Sequence, residues 1–303
     1  MRTIFILAAA LLCAPSVLAA KDPVQLAPSS PWNLHYGDTS CQLIRTFGEA
    51  DKATTFVLER VAPRSNLTML VFGGSLRSKT GENDARAVFM PLSGNVLEGG
   101  HVAETVSTKK QTAILWNRVN FRTKPDPFKA PREGKRDDRD LVQEAADRAE
   151  ESASAAVITA VKIREAGRHE VVLQTGPLAR PIAMMRECAN EQLEQWGVNP
   201  AVEDKIVRLP VPTQTIAGLF SSMDYPKGAL REGDESTIQA RLNIGADGAV
   251  TKCTGLSRFK APGFDALVCR KLDRVRFKPA ELANGTKVPS YFLVSIRFVL
   301  PSD

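Results

Sequence analysis

The sequence predicts an α+β protein in which a larger antiparallel α+β domain precedes a small C-terminal domain. Short β-branched and aromatic runs, separated by Gly, Asn and Pro, indicate an antiparallel sheet in the first two thirds of the chain. Stretches with apolar residues at helical spacing interrupt these runs. The last quarter arranges its apolar residues as helix, β-hairpin, helix and strand, which predicts a second antiparallel sheet.

The first twenty residues have the pattern of a secretory signal peptide. Arg2 precedes an apolar run that ends at Leu12, and small residues follow it. We expect export and cleavage after Ala19 or Ala20, so that residues 1–20 leave the mature chain. The alternative is an uncleaved membrane anchor, but a proline and a serine interrupt the run before it reaches the ~20 apolar residues of a spanning helix.

Length and composition are those of two ordinary globular domains. The chain has 303 residues, of which 43% are hydrophobic. We expect a β-rich α+β domain at 21–208, a linker at 209–221 and the C-terminal domain at 222–303. Within the linker, the two prolines of Leu209–Pro212 predict a short, stiff connection.

The net charge of +6 is concentrated at the C-terminal end of the chain. From Tyr225 onward, thirteen Lys and Arg residues accompany eight Asp and Glu residues. A basic surface can attract nucleic acid, anionic lipid or an acidic partner. For an exported chain we expect no nucleic-acid partner, and a solvated surface without a special partner is the alternative.

Individual elements of the first domain follow from the same patterns. We expect strands at 41–45, 55–61, 67–72, 87–91 and 112–116, and a hairpin at 157–163 and 169–174. Residues 122–140 are polar and contain three prolines, which predicts a surface loop. Apolar residues at helical spacing predict helices at 141–153 and 178–196, the second with Pro177 at its start and Gly197 just past its end.

The C-terminal domain has the clearest pattern. Residues 238–244 alternate between apolar and polar side chains, and Asp247-Gly248 marks the turn of a hairpin. Residues 264–275 place their apolar side chains on one face of a helix that should end before Pro279. A final strand carries Phe292, Val294, Ile296, Phe298 and Leu300 on one face.

Short sequence motifs at these positions resemble those of the TonB carboxy-terminal domain family. The resemblance covers about residues 222–301. The matching residues are Tyr225-Pro226 with Ala229-Leu230, Arg241 to Gly245, Asp247-Gly248, Arg276-Phe277-Lys278-Pro279-Ala280 and Ile296-Arg297-Phe298.

The resemblance implies a periplasmic protein that binds a peptide and has no catalytic activity. Members of the family add a segment of an outer-membrane transporter to their sheet as an extra strand. The partner here would be a TonB-dependent transporter or another envelope protein. The alternative is that this edge is covered by the first domain or by a second copy in a homodimer. The candidate peptide-binding edge runs from Ser290 to Arg297 and includes Ser290 itself, and its less apolar face carries Tyr291, Leu293, Ser295 and Arg297.

The chain also departs from the family. An energy transducer needs a retained membrane helix and a long spacer, whereas this chain has a cleavable signal and a globular domain. Ser236 stands in a region where the family usually repeats a glycine. We therefore expect a periplasmic binding protein linked to transmembrane transport and without a stable membrane anchor once the signal is cleaved. The alternatives are a membrane-anchored TonB-type energy transducer and a hydrolase in the N-terminal domain.

Four cysteines remain after cleavage: Cys41, Cys188, Cys253 and Cys269. An even number in an exported chain favours disulfides, and four cysteines allow three connectivities. We expect Cys253 to pair with Cys269, which would connect the hairpin to the following helix, and Cys41 to pair with Cys188. The alternative is that Cys253 and Cys269 are buried thiols.

The sequence offers little that could support catalysis. Gly73 to Arg77 lacks the second glycine of a GxSxG nucleophile motif, and we interpret it as a turn. The three histidines belong to no metal-binding motif, and no CxxC pair is present. We therefore expect no catalytic residue, no cofactor and no metal.

Overall fold

The computed structural model describes residues 22–300 except 80, 82–83, 93, 95, 105–109, 122–140, 166–168, 234 and 257–262. The expected signal peptide and the expected loop at 122–140 lie outside the described residues. The described chain combines antiparallel sheets with a few helices, and a large β-rich part precedes the C-terminal unit. The α+β class is thus confirmed. We call residues 22–204 the N-terminal part and residues 206–300 the C-terminal part.

Ten strands of the N-terminal part form one sheet in the order β1-β10-β9-β6-β7-β8-β5-β4-β3-β2. Neighbouring strands run antiparallel, except that β1 is parallel to β10. In β5 every second side chain is buried, as the period of a strand with one core face requires. The strands are β1 (Val24–Leu26), β2 (Asn33–Tyr36), β3 (Cys41–Phe47), β4 (Thr54–Arg60), β5 (Leu67–Gly73), β6 (Ala85–Met90), β7 (Val96–Glu104), β8 (Thr112–Val119), β9 (Ala160–Arg164) and β10 (Glu170–Leu173).

The sheet curls, because the segment after β1 reaches the end of β3. Pro28 forms a β-bridge with Phe47, and the Gly48 N–H donates to the Ala27 carbonyl oxygen at 2.8 Å. Strands at opposite ends of the sheet order are thereby brought together around one apolar core.

The two long helices of the described N-terminal part are α1 (Leu141–Val157) and α2 (Ala179–Gln195). The apolar residues of α2 recur at intervals of three and four, and Ile182, Met185 and Ala189 are buried in the core that the sheet surrounds. Gly197 follows the helix with φ of 76°, a left-handed conformation that glycine adopts at helix ends without a Cβ penalty.

The C-terminal part contains the expected order of helix, hairpin, helix and strand. These elements are α4 (Lys227–Glu232), β13 (Ser236–Ile244), β14 (Val250–Gly255), α5 (Phe264–Leu272) and β18 (Ser290–Phe298). The sheet order is β14-β13-β18, with antiparallel neighbours. The inner face of this sheet packs on α5, where Phe264 and Phe298 have ring centroids 4.7 Å apart.

Short strands replace the expected stiff connection. Val211–Pro212 pairs with Phe277–Lys278, and Ile206–Arg208 pairs with Ala280–Leu282. Residues 206–212 therefore pair with the C-terminal part, because the turn after α5 presents main-chain partners to them. The elements here are α3 (Pro200–Glu203), β11 (Ile206–Arg208), β12 (Val211–Pro212), β15 (Phe277–Lys278), β16 (Ala280–Leu282) and β17 (Lys287–Val288), with 3₁₀ turns at Ala50–Lys52, Ala217–Leu219 and Ser222–Asp224.

Candidate functional site

Strand β18 lies at the edge of the C-terminal sheet. It pairs with β13 from Ser290 opposite Ile244 to Phe298 opposite Ser236. Within the described part of the chain, no second strand pairs with β18. The N–H and C=O groups on its outer side are therefore not used by a neighbouring strand of the described chain.

The two faces of β18 have different surroundings. The inner face belongs to the apolar core. Val294 and Phe298 are buried, whereas Phe292 and Ile296 lie at the margin of the core and are half-buried. On the opposite face, Ser295 and Arg297 are exposed. The inner-face residues are Phe292, Val294, Ile296 and Phe298.

The beginning of the opposite face is covered by the N-terminal part. Tyr291 is only 3% exposed and lies edge-on to Trp196, with ring centroids 5.6 Å apart. The Arg64 guanidinium lies 4.6 Å from the centroid of the Tyr291 ring, and the Arg64 main-chain N–H donates to the Tyr291 hydroxyl at 3.2 Å. Leu293 packs against the same cluster.

Ser290 is held by the same contact. Its hydroxyl donates to Glu203 Oε2 at 3.0 Å, and Glu203 forms an ion pair with Arg64. Ser290 and Glu203 are both buried. The hydrogen-bonded ion pair therefore fixes the first residue of β18 to α3 and to the loop after β4.

Arg241 in β13 extends this contact between the two parts. Its guanidinium lies 3.5 Å from the centroid of the Trp196 ring, and the neighbouring Asn243 donates through Nδ2 to the Trp196 carbonyl oxygen at 2.7 Å. Burial removes the Arg241 guanidinium from water, which disfavours its charged form and lowers the pKa of Arg241 to about 10. The sequence alone predicts no such contact, since an arginine on the polar face of a strand is normally solvated.

The five residues expected to present the edge thus divide into two groups. Ser295 and Arg297 are exposed, and Leu293 is half-buried. Ser290 and Tyr291 are instead buried against the N-terminal part, which differs from the expectation that they would face a partner. The alternative of a covered edge applies to these side chains, because Trp196 and Arg64 occupy the space in front of them.

Several residues of the motifs that resemble the TonB C-terminal family support the fold around β18. Tyr225 lies edge-on to Phe264 and to Phe298, with ring centroids 5.4 and 5.9 Å away. Pro226 caps the start of α4, Ala280 is buried and paired with Val288, and the Arg276 carbonyl oxygen accepts from the Thr213 N–H at 2.8 Å.

The Asp247-Gly248 turn is fitted to Phe277. Asp247 Oδ1 accepts from the Ala249 N–H at 2.9 Å, and Gly248 has φ of 80°. A Cβ on Gly248 would lie 2.0 Å from the Phe277 carbonyl oxygen and 3.6 Å from the Pro279 ring. Glycine is therefore required both by the backbone conformation and by the close approach of the segment that contains Phe277 and Pro279.

Comparison with known families agrees with this geometry. Residues 221–300 match the Gram-negative bacterial TonB protein C-terminal family. The match covers about a quarter of the chain and includes α4, β13, β14, α5 and β18, so the resemblance is confirmed for this segment. None of the curated proteins that were compared with the chain matches it. We call residues 221–300 the TonB C-terminal domain.

Two disulfides are present, one in each part. Cys253 and Cys269 join β14 to α5 within the TonB C-terminal domain. Cys41 and Cys188 join β3 to α2 in the N-terminal part. Disulfides of this kind fit an oxidising compartment.

The Gly73–Arg77 segment forms a turn around a buried serine. The Ser75 hydroxyl contacts Thr54 Oγ1 at 2.5 Å, while the His169 ring contacts the Ser75 carbonyl oxygen at 2.9 Å. Glu165 Oε1 accepts from the Arg77 and Ser78 N–H groups at 2.8 and 2.7 Å. The histidine and the carboxylate therefore hold the backbone of the turn, and neither activates the hydroxyl of Ser75.

Among the described residues, no cluster of three His, Cys, Asp or Glu side chains could hold a metal ion. The helices in the described part of the chain are too short or too polar to cross a membrane. The TonB C-terminal family itself is a transport-associated domain without enzymatic activity.

Proposed function

We propose that this protein is a periplasmic binding protein of the TonB type, and that β18 takes up a segment of an outer-membrane transporter or another envelope protein as an additional strand. The observation that supports this most is the position of β18 at the edge of the sheet, with β13 as its one strand partner in the described chain. Main-chain groups along such an edge can pair with an extended peptide.

The side chains beside this edge define the peptide that would fit. Residues of an added strand alternate between the two faces of the sheet. Side chains of the added strand on the inner face would pack beside Phe292 and Ile296, at the margin of the apolar core. Side chains on the opposite face would lie next to Ser295 and Arg297. We therefore expect a segment with apolar residues at alternate positions and an acidic residue near Arg297.

Site-specific crosslinking in the envelope tests this proposal. A photoreactive residue at Ser295 is exposed beside the edge, and one at Lys252 is also exposed and serves as a control on β14, at the opposite edge of the sheet. We expect Ser295 to capture an outer-membrane protein and Lys252 to capture much less of it. Equal yields from both positions, or no outer-membrane protein captured from Ser295, would overturn the proposal.

The family match also supports a second function, that of a membrane-anchored energy transducer. The two functions differ in the N-terminus of the mature protein. N-terminal sequencing of the exported chain should find Ala20 or Lys21 for the binding protein, whereas a chain that retains residues 1–20 would support the transducer.

A further inference from the structure

A cavity of about 430 Å³ lies in the N-terminal part, beside the start of α2. Its walls combine two arginines with an aromatic ring and three apolar side chains, and none of the residues that line it is acidic. The lining includes Trp32, Arg45, Pro177, Arg180, Pro181 and Met184. None of these residues belongs to the TonB C-terminal domain, and we call this site the Trp32 cavity.

Arg45 is held rigidly at the cavity. Its Nε donates to the Ser30 carbonyl oxygen at 2.9 Å, and its Nη1 donates to the Thr175 carbonyl oxygen at 2.8 Å. The Nη2 group has no acceptor among the described residues, and no carboxylate there is paired with this arginine. The guanidinium therefore presents a positive charge that the described chain does not neutralise.

Trp32 forms the aromatic wall of the cavity. The Arg45 guanidinium lies 5.4 Å from the centroid of the Trp32 ring, and Phe56 contacts the same ring edge-on at 5.9 Å. The ring therefore places an apolar surface directly beside the positive charge of Arg45.

Arg180 completes the set from the first turn of α2. Its side chain is exposed at the cavity mouth, and the first turn of the helix contains no acidic residue and no side-chain cap. The positive end of the helix dipole therefore adds to the potential of Arg45 and Arg180. The guanidinium groups of Arg45 and Arg180 can only donate hydrogen bonds, which suits an anionic acceptor.

We propose that the Trp32 cavity binds a small carboxylate that carries an apolar body. Arg45 and Arg180 would hold the carboxylate. The apolar body would contact the Trp32 ring, Pro177, Pro181 and Met184. The volume lies within the range of small-molecule sites.

Nuclear magnetic resonance of the three tryptophan indole groups tests the site in the purified, disulfide-bonded protein. The probes are benzoate, its uncharged analogue benzamide and inorganic phosphate. We expect benzoate to shift the indole N–H resonance of Trp32 and to leave that of Trp116 unchanged. Benzamide and phosphate should bind at least about tenfold more weakly, because one lacks the charge and the other lacks the apolar body.

Two variants assign the binding to the named donors. Arg180→Ala should weaken benzoate binding about fivefold to tenfold, whereas Arg270→Ala, which removes an exposed arginine of α5, should leave it unchanged. Arg45→Met removes the fixed charge but keeps the Trp32 resonance as the readout, and should weaken binding about tenfold. If Arg45→Met does not fold, the exposed Arg180 still decides the result.

Three outcomes would overturn this proposal. They are no shift of the Trp32 resonance with benzoate, equal binding of benzamide or phosphate, and unchanged binding by Arg180→Ala. None of these results depends on β18, so the Trp32 cavity and the proposed function can fail independently.

Discussion

The guanidinium carbon of Arg241 lies 3.5 Å from the centroid of the Trp196 ring, and this contact joins the two parts of the protein. Arg241 is 3% exposed, and its Nη1 has no acceptor among the described residues. A cation–π contact offsets part of the cost of burying the charge, but no carboxylate of the described part of the chain forms an ion pair with it. The contact therefore orients the two parts at some cost in stability.

Arg241→Met should leave the free energy of unfolding unchanged or raise it by about 1 kcal/mol, because a methionine fills similar space without a buried charge. Arg241→Ala is the control, and the space it leaves should lower the free energy of unfolding by about 2 kcal/mol. Urea denaturation of the three proteins measures both effects. A methionine variant as unstable as the alanine variant would contradict this view of Arg241.

Trp196→Ala should lower the free energy of unfolding by about 3 kcal/mol, because it removes the ring that packs between Arg241 and Tyr291. Trp196→Phe retains an aromatic ring at the contact, so we expect it to lose less than half as much. The same urea experiment compares the two variants. Equal losses would show that the indole ring itself, rather than aromatic packing, is what the contact requires.

Arg297→Glu should reduce capture from a photoreactive residue at Ser295 about threefold to tenfold, since it reverses the charge next to the proposed acidic residue of the partner. The matched control is Lys252→Glu, which makes the same change of net charge on the opposite edge strand. Quantitative blotting of the crosslinked product gives the yields. If both variants lose capture equally, the effect comes from overall charge and not from the edge.

The C-terminal fold could be predicted because local signals agree there. Alternation over Ile238–Ile244, a left-handed glycine at Gly248 and the helical spacing from Phe264 each act within a few residues. The observed bounds of β13, β14, α5 and β18 follow those signals. In the N-terminal part, β5 and α2 were recognisable for the same reason.

Other elements depend on partners that are distant in the sequence. Strand β7 contains Gly99 and Gly100 and lacks a clear alternation, so its sequence does not mark it as a strand. The parallel pairing of β1 with β10 joins Val24 to Val171, and no local pattern encodes such a contact. Val211–Pro212 has the composition of a linker and becomes a strand because Phe277–Lys278 lies beside it.

The candidate site was predictable only in part, for the same reason. Alternation correctly separates the inner face of β18 from the face that carries Tyr291. It cannot show that Trp196 covers Tyr291, since the two residues belong to different parts and meet only in the folded chain. The Trp32 cavity likewise combines Trp32 and Arg45 with Arg180, which no spacing in the sequence connects.

Removing either disulfide should destabilise the protein, and removing the one that closes the longer loop should destabilise it more. The Cys41–Cys188 bridge spans 147 residues and the Cys253–Cys269 bridge spans 16. In the chain-entropy model these correspond to about 5 and about 3 kcal/mol. Paired Cys→Ser variants, compared by urea denaturation, should lose stability in this order, and the reverse order would contradict the entropic origin.

Acidic pH should weaken the anchoring of the turn before α4. Lys271 Nζ lies 2.6 Å from Asp224 Oδ1, and the Ser221 N–H donates to Asp224 Oδ2 at 2.8 Å. The hydrogen bond from Lys271, followed by those from Ser221, lowers the pKa of Asp224 from 3.8 to about 2. A lowered pKa means that the ionised carboxylate stabilises the folded state above about pH 4, and that this contribution is lost as the pH falls towards 2.

Asp224→Asn should therefore be less stable than the wild type at pH 7, and the difference should shrink below pH 4 and vanish near pH 2. Asp273→Asn, at an exposed aspartate just after α5, controls for the general effect of removing a negative charge. Urea denaturation at pH 7, 4 and 2 follows the difference. Lys271 of α5 is the ion-pair partner of Asp224. In a protein that carries Lys271→Met, adding Asp224→Asn should therefore change the stability by nearly the same amount at pH 7 and at pH 2. A difference that persists unchanged at pH 2 would show that the carboxylate acts through packing rather than through its charge.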